Sequence, residues 1–283
     1  MSSNLAGSAI ELESDRPQKY PDIEIVQMAE TAEIIEHIRR RVAAAKIELE
    51  PFPHFVANNI LPEPVYAEIL RNWPPAELAR TTNWAARKEM SVAQQLPAFP
   101  PAIRPVWRQV VEWSQAARDL VYEKLKPHLG EKLAPLVGRR RAAEMNVVTR
   151  RGPAAFLATY TGALSLHAHV DHPVLATNSF LYVSERDVEE PELGTVLYHS
   201  YGLALPHNEL KLPETLVQRY LRRAKTVPYG RNMLLSYVNT PSAFHGVDPV
   251  DIGTRVRRLL MFGTLLDDRS FDAEELKRLN PKR

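Results

Sequence analysis

The chain has 283 residues, with 36 Lys and Arg against 34 Asp and Glu and a net charge of +2 at pH 7. At 45% hydrophobic and 25% charged, it has apolar content for a buried core and too balanced a charge to demand a polyanionic partner. Cysteine is absent, which excludes disulfides and thiolate metal sites, so any metal must be held by His and carboxylate side chains.

Residues 1–22 are polar and aperiodic and are expected to form a disordered tail. MSSNLAGSAIELESDRPQKY has no basic segment leading into an apolar one, and no later run is long and apolar enough for a bilayer. A cytoplasmic protein with neither membrane nor nucleic-acid partners is therefore expected. Helical spacing follows at Ile34, Ile35, Ile38 and Val42, with Arg39, Arg40 and Arg41 on a solvated face. PFPHFVANNILP predicts an extended segment before a helix through VYAEILRNW. A long helix is predicted in IRPVWRQVVEWSQAARDLVYEKLKPHL, with Val106, Val110, Val111, Trp113, Leu120 and Val121 on its apolar side.

From about residue 143 the pattern changes to seven or eight short β-rich runs, from NVVTRR to RVRRLLMFGTLL. They are separated by Pro, Gly, Asn and Asp and interrupted by one helical stretch, PETLVQRYLRRA. Helices followed by strands predict an α+β fold with a β-sandwich or barrel core. The predicted division is a mainly helical part at 23–142 packed outside a core at 143–267, with a helix or tail at 268–283.

LHAHVDHP, residues 166–173, concentrates His167, His169, Asp171 and His172. On a regular strand the first three share a face and His172 opposes them, with neighbours about 7 Å apart and the outer pair about 13 Å apart. Two pairs can therefore converge on an ion, His167 with His169 or His169 with Asp171. His245 is the candidate third ligand. Two imidazoles and a carboxylate suit non-haem Fe(II), whereas three imidazoles are more typical of zinc. Arg255, beyond a Pro/Gly-containing turn, could pair with a carboxylate in bidentate fashion.

The ordered set of His169-Val170-Asp171, a distant His245 and HGVDPVDIGTR ending in Arg255 resembles the Fe(II)/2-oxoglutarate-dependent dioxygenase superfamily. YTGALSLHAHVDHP and SFLYVSERDVEEPELGTVLYH add to the resemblance, which covers roughly 143–266; FPHFVANNILPEPVYAEILRNWPP resembles the family's leading segment. The resemblance implies a double-stranded β-helix, of jelly-roll or cupin-like form, with N-terminal helices outside it. It implies that His169, Asp171 and His245 are the catalytic Fe(II) ligands and that Arg255 anchors 2-oxoglutarate. Arg257 is the alternative anchor or a substrate contact, Tyr182 a hydrogen-bond donor to the cosubstrate, and Tyr160 a second such candidate.

Fe(II), 2-oxoglutarate and O₂ are then the implied cofactor and cosubstrates. The implied reaction is hydroxylation of a C–H bond in a small molecule, such as an amino acid or biosynthetic intermediate, with release of succinate and CO₂. Desaturation or ring formation could arise from the same chemistry, and the presence of Asp171 argues against halogenation. A protein side chain or glycan as substrate, or a non-catalytic cupin-like metal-binding protein, are the competing readings. AlkB-like action on nucleobases is disfavoured because the basic residues are not clustered near the strands. His167 is an extra candidate ligand or pocket residue, His172 caps the turn before Pro173, and His199 and His207 fall near the expected pocket mouth. Segments 185–194 and 199–212 are the expected pocket loops.

Overall fold

The computed structural model describes residues 29–82, 87–152, 154–205 and 212–279; the tail expected at 1–22 and His207 lie outside them. Its strands are β1 (His54–Asn58), β2 (Arg80–Thr81), β3 (Arg87–Ser91), β4 (Thr149–Arg151), β5 (Phe156–His169), β6 (Leu175–Tyr182), β7 (Glu190–Ser200), β8 (Leu221–Tyr229), β9 (Met233–Val238) and β10 (His245–Leu266). The helices are α1 (Thr31–Ala44), α2 (Glu63–Arg71), α3 (Val92–Gln95), α4 (Arg104–Leu125), α5 (Leu129–Val137), α6 (Arg139–Glu144), α7 (Glu214–Tyr220) and α8 (Ala273–Leu279). None among the described residues is long and apolar enough to cross a membrane.

The result is a mixed fold of helices and antiparallel sheet. Strands run in the order β1-β9-β6-β10-β5-β3-β2, while β4 and β7 also pair with β10, and β8 pairs with β7. The helical first part is not separate from this sheet. It contributes β1, paired with β9, and β3, paired with β5.

Period-two alternation decides what each face of the sheet touches. Leu181, Leu234 and Leu260 point outward onto the helices, whose stripes include Ile34, Ile38 and Val42 of α1 and Trp107, Val110 and Trp113 of α4. Their neighbours Phe180, Leu235 and Leu259 point inward and meet Leu193, Leu197 and Val227 from β7 and β8. A second core therefore lies between β7–β8 and the main sheet. At about 25 cal/mol per Å² of apolar surface removed from water, these two interiors are the main stabilising contribution.

Two segments differ from their sequence patterns. PETLVQRYLRRA is helical only through Tyr220; from Leu221 the chain pairs with β7, so a tertiary ladder overrides local helix propensity. HGVDPVDIGTRVRRLLMF is one long strand rather than a turn between strands, because β5 pairs along almost all of it. It carries a large irregularity: Asp251 pairs with Ala163 and Val256 with Thr161, so residues 252–255 are opposed by Gly162 alone. Segment 190–194, expected as loop, belongs to β7.

Candidate metal centre

The site forms where β5 and β10 leave regular pairing. His245 is opposite His169, but Val247 is opposite Leu166, so Gly246 faces both His167 and Ala168. This extra residue is a β-bulge, and it reverses which side chains point inward. His167 is consequently exposed, while Leu166 and His169 both line the cavity. The bulge requires glycine. A Cβ at Gly246 would lie 2.5 Å from the Leu166 carbonyl oxygen and 3.2 Å from the Ala168 nitrogen.

Strand β5 ends at His169, and Asp171 follows in the turn. Suitable ligand atoms of His169, Asp171 and His245 lie within 4.8 Å of one another. His169 Nδ1 is 2.9 Å from the His167 carbonyl oxygen and His245 Nδ1 is 3.0 Å from that of Ala243. A carbonyl oxygen only accepts, so each Nδ1 donates its proton there, and Nε2 is the nitrogen of each ring that could offer a lone pair to a metal. These Nε2 atoms each sit 3.8 Å from an Asp171 oxygen, His169 from Oδ1 and His245 from Oδ2. Two imidazole lone pairs converging beside a carboxylate form a donor set that fits a divalent first-row metal.

The surroundings hold His169 and Asp171 in the forms a metal would require. Burial, reinforced by His245, pushes the His169 pKa down to about 4, leaving a neutral imidazole at neutral pH. Burial alone would raise the Asp171 carboxyl, yet His245, His169 and hydrogen bonds from Tyr237 and Asn178 keep it below the usual value. Asn178 Nδ2 donates to Asp171 Oδ2 at 2.7 Å, and the Tyr237 hydroxyl donates to the same oxygen. Burial and the adjacent Asp171 raise Tyr237 well above the ordinary phenol range, which keeps it a donor. Tyr237 Oη is also 3.2 Å from His245 Nε2.

Beside the triad lies a cavity of about 180 Å³ whose lining includes Tyr160, Asn178, Thr195 and Arg257. Arg257, the alternative anchor, is 1% exposed. Its Nε donates to the Leu193 carbonyl at 2.7 Å and its Nη2 lies 3.4 Å from Thr195 Oγ1. The rings of Tyr160, Tyr182 and Tyr229 surround the guanidinium at 5.2, 5.7 and 5.7 Å. Arg255 is elsewhere. It sits in the irregular segment 252–255, so its side chain leaves the cavity face and its Nη1 pairs with Glu190 and Glu192 at 2.9 and 2.8 Å.

Tyr160 lines the cavity, whereas the Tyr182 hydroxyl donates to Thr195 Oγ1 at 2.6 Å and reaches the cavity only through that residue. His172 Nδ1 accepts the Val174 N–H at 3.2 Å across Pro173, and His199 faces Glu50 at 3.4 Å away from the triad. Asn178, Tyr237, Thr195 and Arg87, all at or beside the cavity, carry no motif by themselves. Only the period-two positions of Asn178 and Phe180 on one strand could have pointed there.

No protein-family model matches the chain, and no curated protein matches its sequence. Among solved structures, it is similar to the epimerase SnoN in complex with Fe³⁺, alpha ketoglutarate and nogalamycin RO. There the identity is 11% and the TM-score 0.45, with 83% of this chain and 84% of that one covered. HygX from Streptomyces hygroscopicus, with nickel, 2-oxoglutarate and hygromycin B bound, is 15% identical with a TM-score of 0.44, covering 75% of this chain and 82% of that one. A prolyl-4-hydroxylase from Pseudomonas putida is 12% identical with a TM-score of 0.43, covering 83% of this chain and 98% of that one.

Proposed function

We propose that this protein is an Fe(II)- and 2-oxoglutarate-dependent oxygenase, with a double-stranded β-helix core, that hydroxylates a C–H bond of a small molecule. The reading rests above all on one juxtaposition. The paired Nε2 atoms of His169 and His245 beside Asp171 share a cavity with the fixed guanidinium of Arg257. His169 Nε2, His245 Nε2 and the Asp171 carboxylate would hold the metal, with Tyr237 and Asn178 fixing the carboxylate through Oδ2.

When bound, Fe(II) and 2-oxoglutarate supply oxidative decarboxylation to succinate and CO₂ coupled to oxidation of the substrate. The chain's own contribution is placement. Arg257, with Thr195, would take the distal carboxylate of the cosubstrate, in the role expected of Arg255. The Leu193 carbonyl fixes Arg257 at Nε, and three tyrosine rings exclude water from its faces. Tyr182 orients Thr195 by donating to its hydroxyl oxygen. Phe180, Leu166 and Met261 supply apolar wall, which keeps bulk water from the ligands. The cavity is smaller than the roughly 300–1,000 Å³ typical of drug-sized sites, which suits a small substrate or the reactive end of one.

The test is calorimetric binding of N-oxalylglycine, an unreactive 2-oxoglutarate analogue, with and without Mn(II), followed by aerobic succinate release with Fe(II). Metal-dependent binding is expected in the wild type. Asp171→Ala should remove it and abolish substrate-coupled succinate formation. Arg257→Gln should weaken it by about tenfold to a hundredfold, the value of a charged hydrogen-bonded pair. Binding that ignores both metal and Arg257 would refute the assignment.

A further inference from the structure

Arg87 is the cavity residue that the metal and its cosubstrate leave without a partner in the chemistry. β3 and β10 flank β5 so that Arg87 and Arg257 both stand opposite Tyr160. The three side chains form a row across the sheet, with the guanidinium carbons 5.5 and 5.2 Å from the ring centroid. Arg257 is engaged by Leu193 and Thr195.

The Arg87 side chain is only 14% exposed, and its Nε edge is ion-paired to Glu89 at 2.5 Å, a carboxylate it shares with Arg80. Its Nη2 faces Met261 Sδ at 4.0 Å, and a thioether is a weak acceptor for a guanidinium N–H. A second cation thus borders a small cavity whose nearby surface, Phe156, Leu175 and Met261, is apolar.

Glu89 meets the Nε edge of Arg87 but serves Arg80 as well, so the three side chains keep a net positive charge, and the Nη2 edge bordering the cavity faces a weakly accepting thioether. The dicarboxylate of the cosubstrate would be matched by the metal and Arg257, so an anion on the Nη edge of Arg87 would come from the second ligand. We propose that the substrate is an acid, a carboxylate or phosphate on an apolar body, with its anionic group on Arg87 and its apolar part against Phe156 and Met261. Assigning that anion to the substrate rests on the oxygenase reading above.

The experiment titrates the Mn(II)- and N-oxalylglycine-loaded protein by ligand-observed NMR. The probes are alkyl and aryl monocarboxylates, their carboxamides, and phosphate monoesters of the matching alcohols. Carboxylates or phosphate esters should bind at least about tenfold tighter than the carboxamides, as for a charge-assisted hydrogen bond. Which of the two binds tighter identifies the anion. Arg87→Gln should lose the preference while still binding N-oxalylglycine, and Arg87→Lys should retain part of it.

Equal binding of acid and amide by the wild type, or failure of every anion to bind, would overturn the proposal. So would loss of N-oxalylglycine binding in Arg87→Gln, which would assign Arg87 to the cosubstrate. Repeating the titration without metal or analogue separates the two readings. Acid-selective, Arg87-dependent binding in a protein that never binds N-oxalylglycine keeps the anion site and removes the oxygenase. Binding of N-oxalylglycine without acid preference does the reverse.

Discussion

Gly246→Ala tests whether the bulge between β5 and β10 is what aligns the triad. A Cβ at this position would stand 2.5 Å from the Leu166 carbonyl oxygen. Ordinary contact begins near 3.4 Å, so the two backbones must part by about 0.9 Å, and backbone cannot swing aside as a flexible side chain can. Forced overpacking of this kind costs about 1–3 kcal/mol, which for a chain of this size lowers the unfolding midpoint by roughly 2–10 °C.

Metal affinity should fall together with stability. Gly246 is next to His245, and the displaced strand carries His169. A shift of about 1 Å in one ligand is enough to lose about tenfold to a hundredfold in affinity, or about 1.4–2.7 kcal/mol. Thermal unfolding with and without Mn(II), together with calorimetric titration of Mn(II), gives both quantities. The control is Gly130→Ala in α5, where a Cβ meets nothing within 4 Å and a slight stabilisation of about 0.4–1 kcal/mol is expected. A Gly246→Ala protein with wild-type midpoint and wild-type Mn(II) affinity would refute the bulge argument.

Asn178→Ala and Tyr237→Phe each remove one donor from Asp171 Oδ2, and each should weaken Mn(II) binding by about tenfold to a hundredfold in titration calorimetry. Lys132 is buried, with its ammonium on the Asn239 carbonyl at 2.7 Å, and burial lowers its pKa from 10.5 to about 7. The unfolded chain therefore binds more protons between these values, so this lysine's penalty is absent above pH 10.5, grows as pH falls, and is complete below about pH 7. Lys132→Met should accordingly raise the unfolding free energy at neutral pH by about 2–4 kcal/mol after loss of the hydrogen bond, with a gain that shrinks toward pH 10. Chemical denaturation across that range checks the sign; a pH-independent gain would contradict it. Arg255→Gln should leave N-oxalylglycine affinity unchanged and cost about 1–2 kcal/mol, because Arg255 faces away from the cavity and the buried Glu190 keeps its ion pair with Arg186.

Apolar spacing alone was enough to locate α1 and the long α4, because a helix facing a core must repeat its buried positions. It failed at Leu221–Ala224, where pairing with β7 outweighed local preference, and at β3, whose partner lies more than 60 residues away; β1 was legible as an extended segment, but its pairing with the remote β9 was not. The helical first part therefore read as packing around the sheet when it also extends it.

For the site, residue types and their order were sufficient to single out His169, Asp171 and His245, since few side chains can present lone pairs to a metal. Their choice over His167 was open in the sequence, because alternation on a regular strand puts His167 on the same face. The bulge at Gly246 closed it by reversing the face of every residue beyond. The same physics separated two arginines that are two residues apart. Regular pairing with Tyr160 turns Arg257 inward, while the irregular segment 252–255 carries Arg255 out to Glu190 and Glu192. Chemistry is written in residue identity, but inward or outward orientation depends on strand register, which only the paired strands determine.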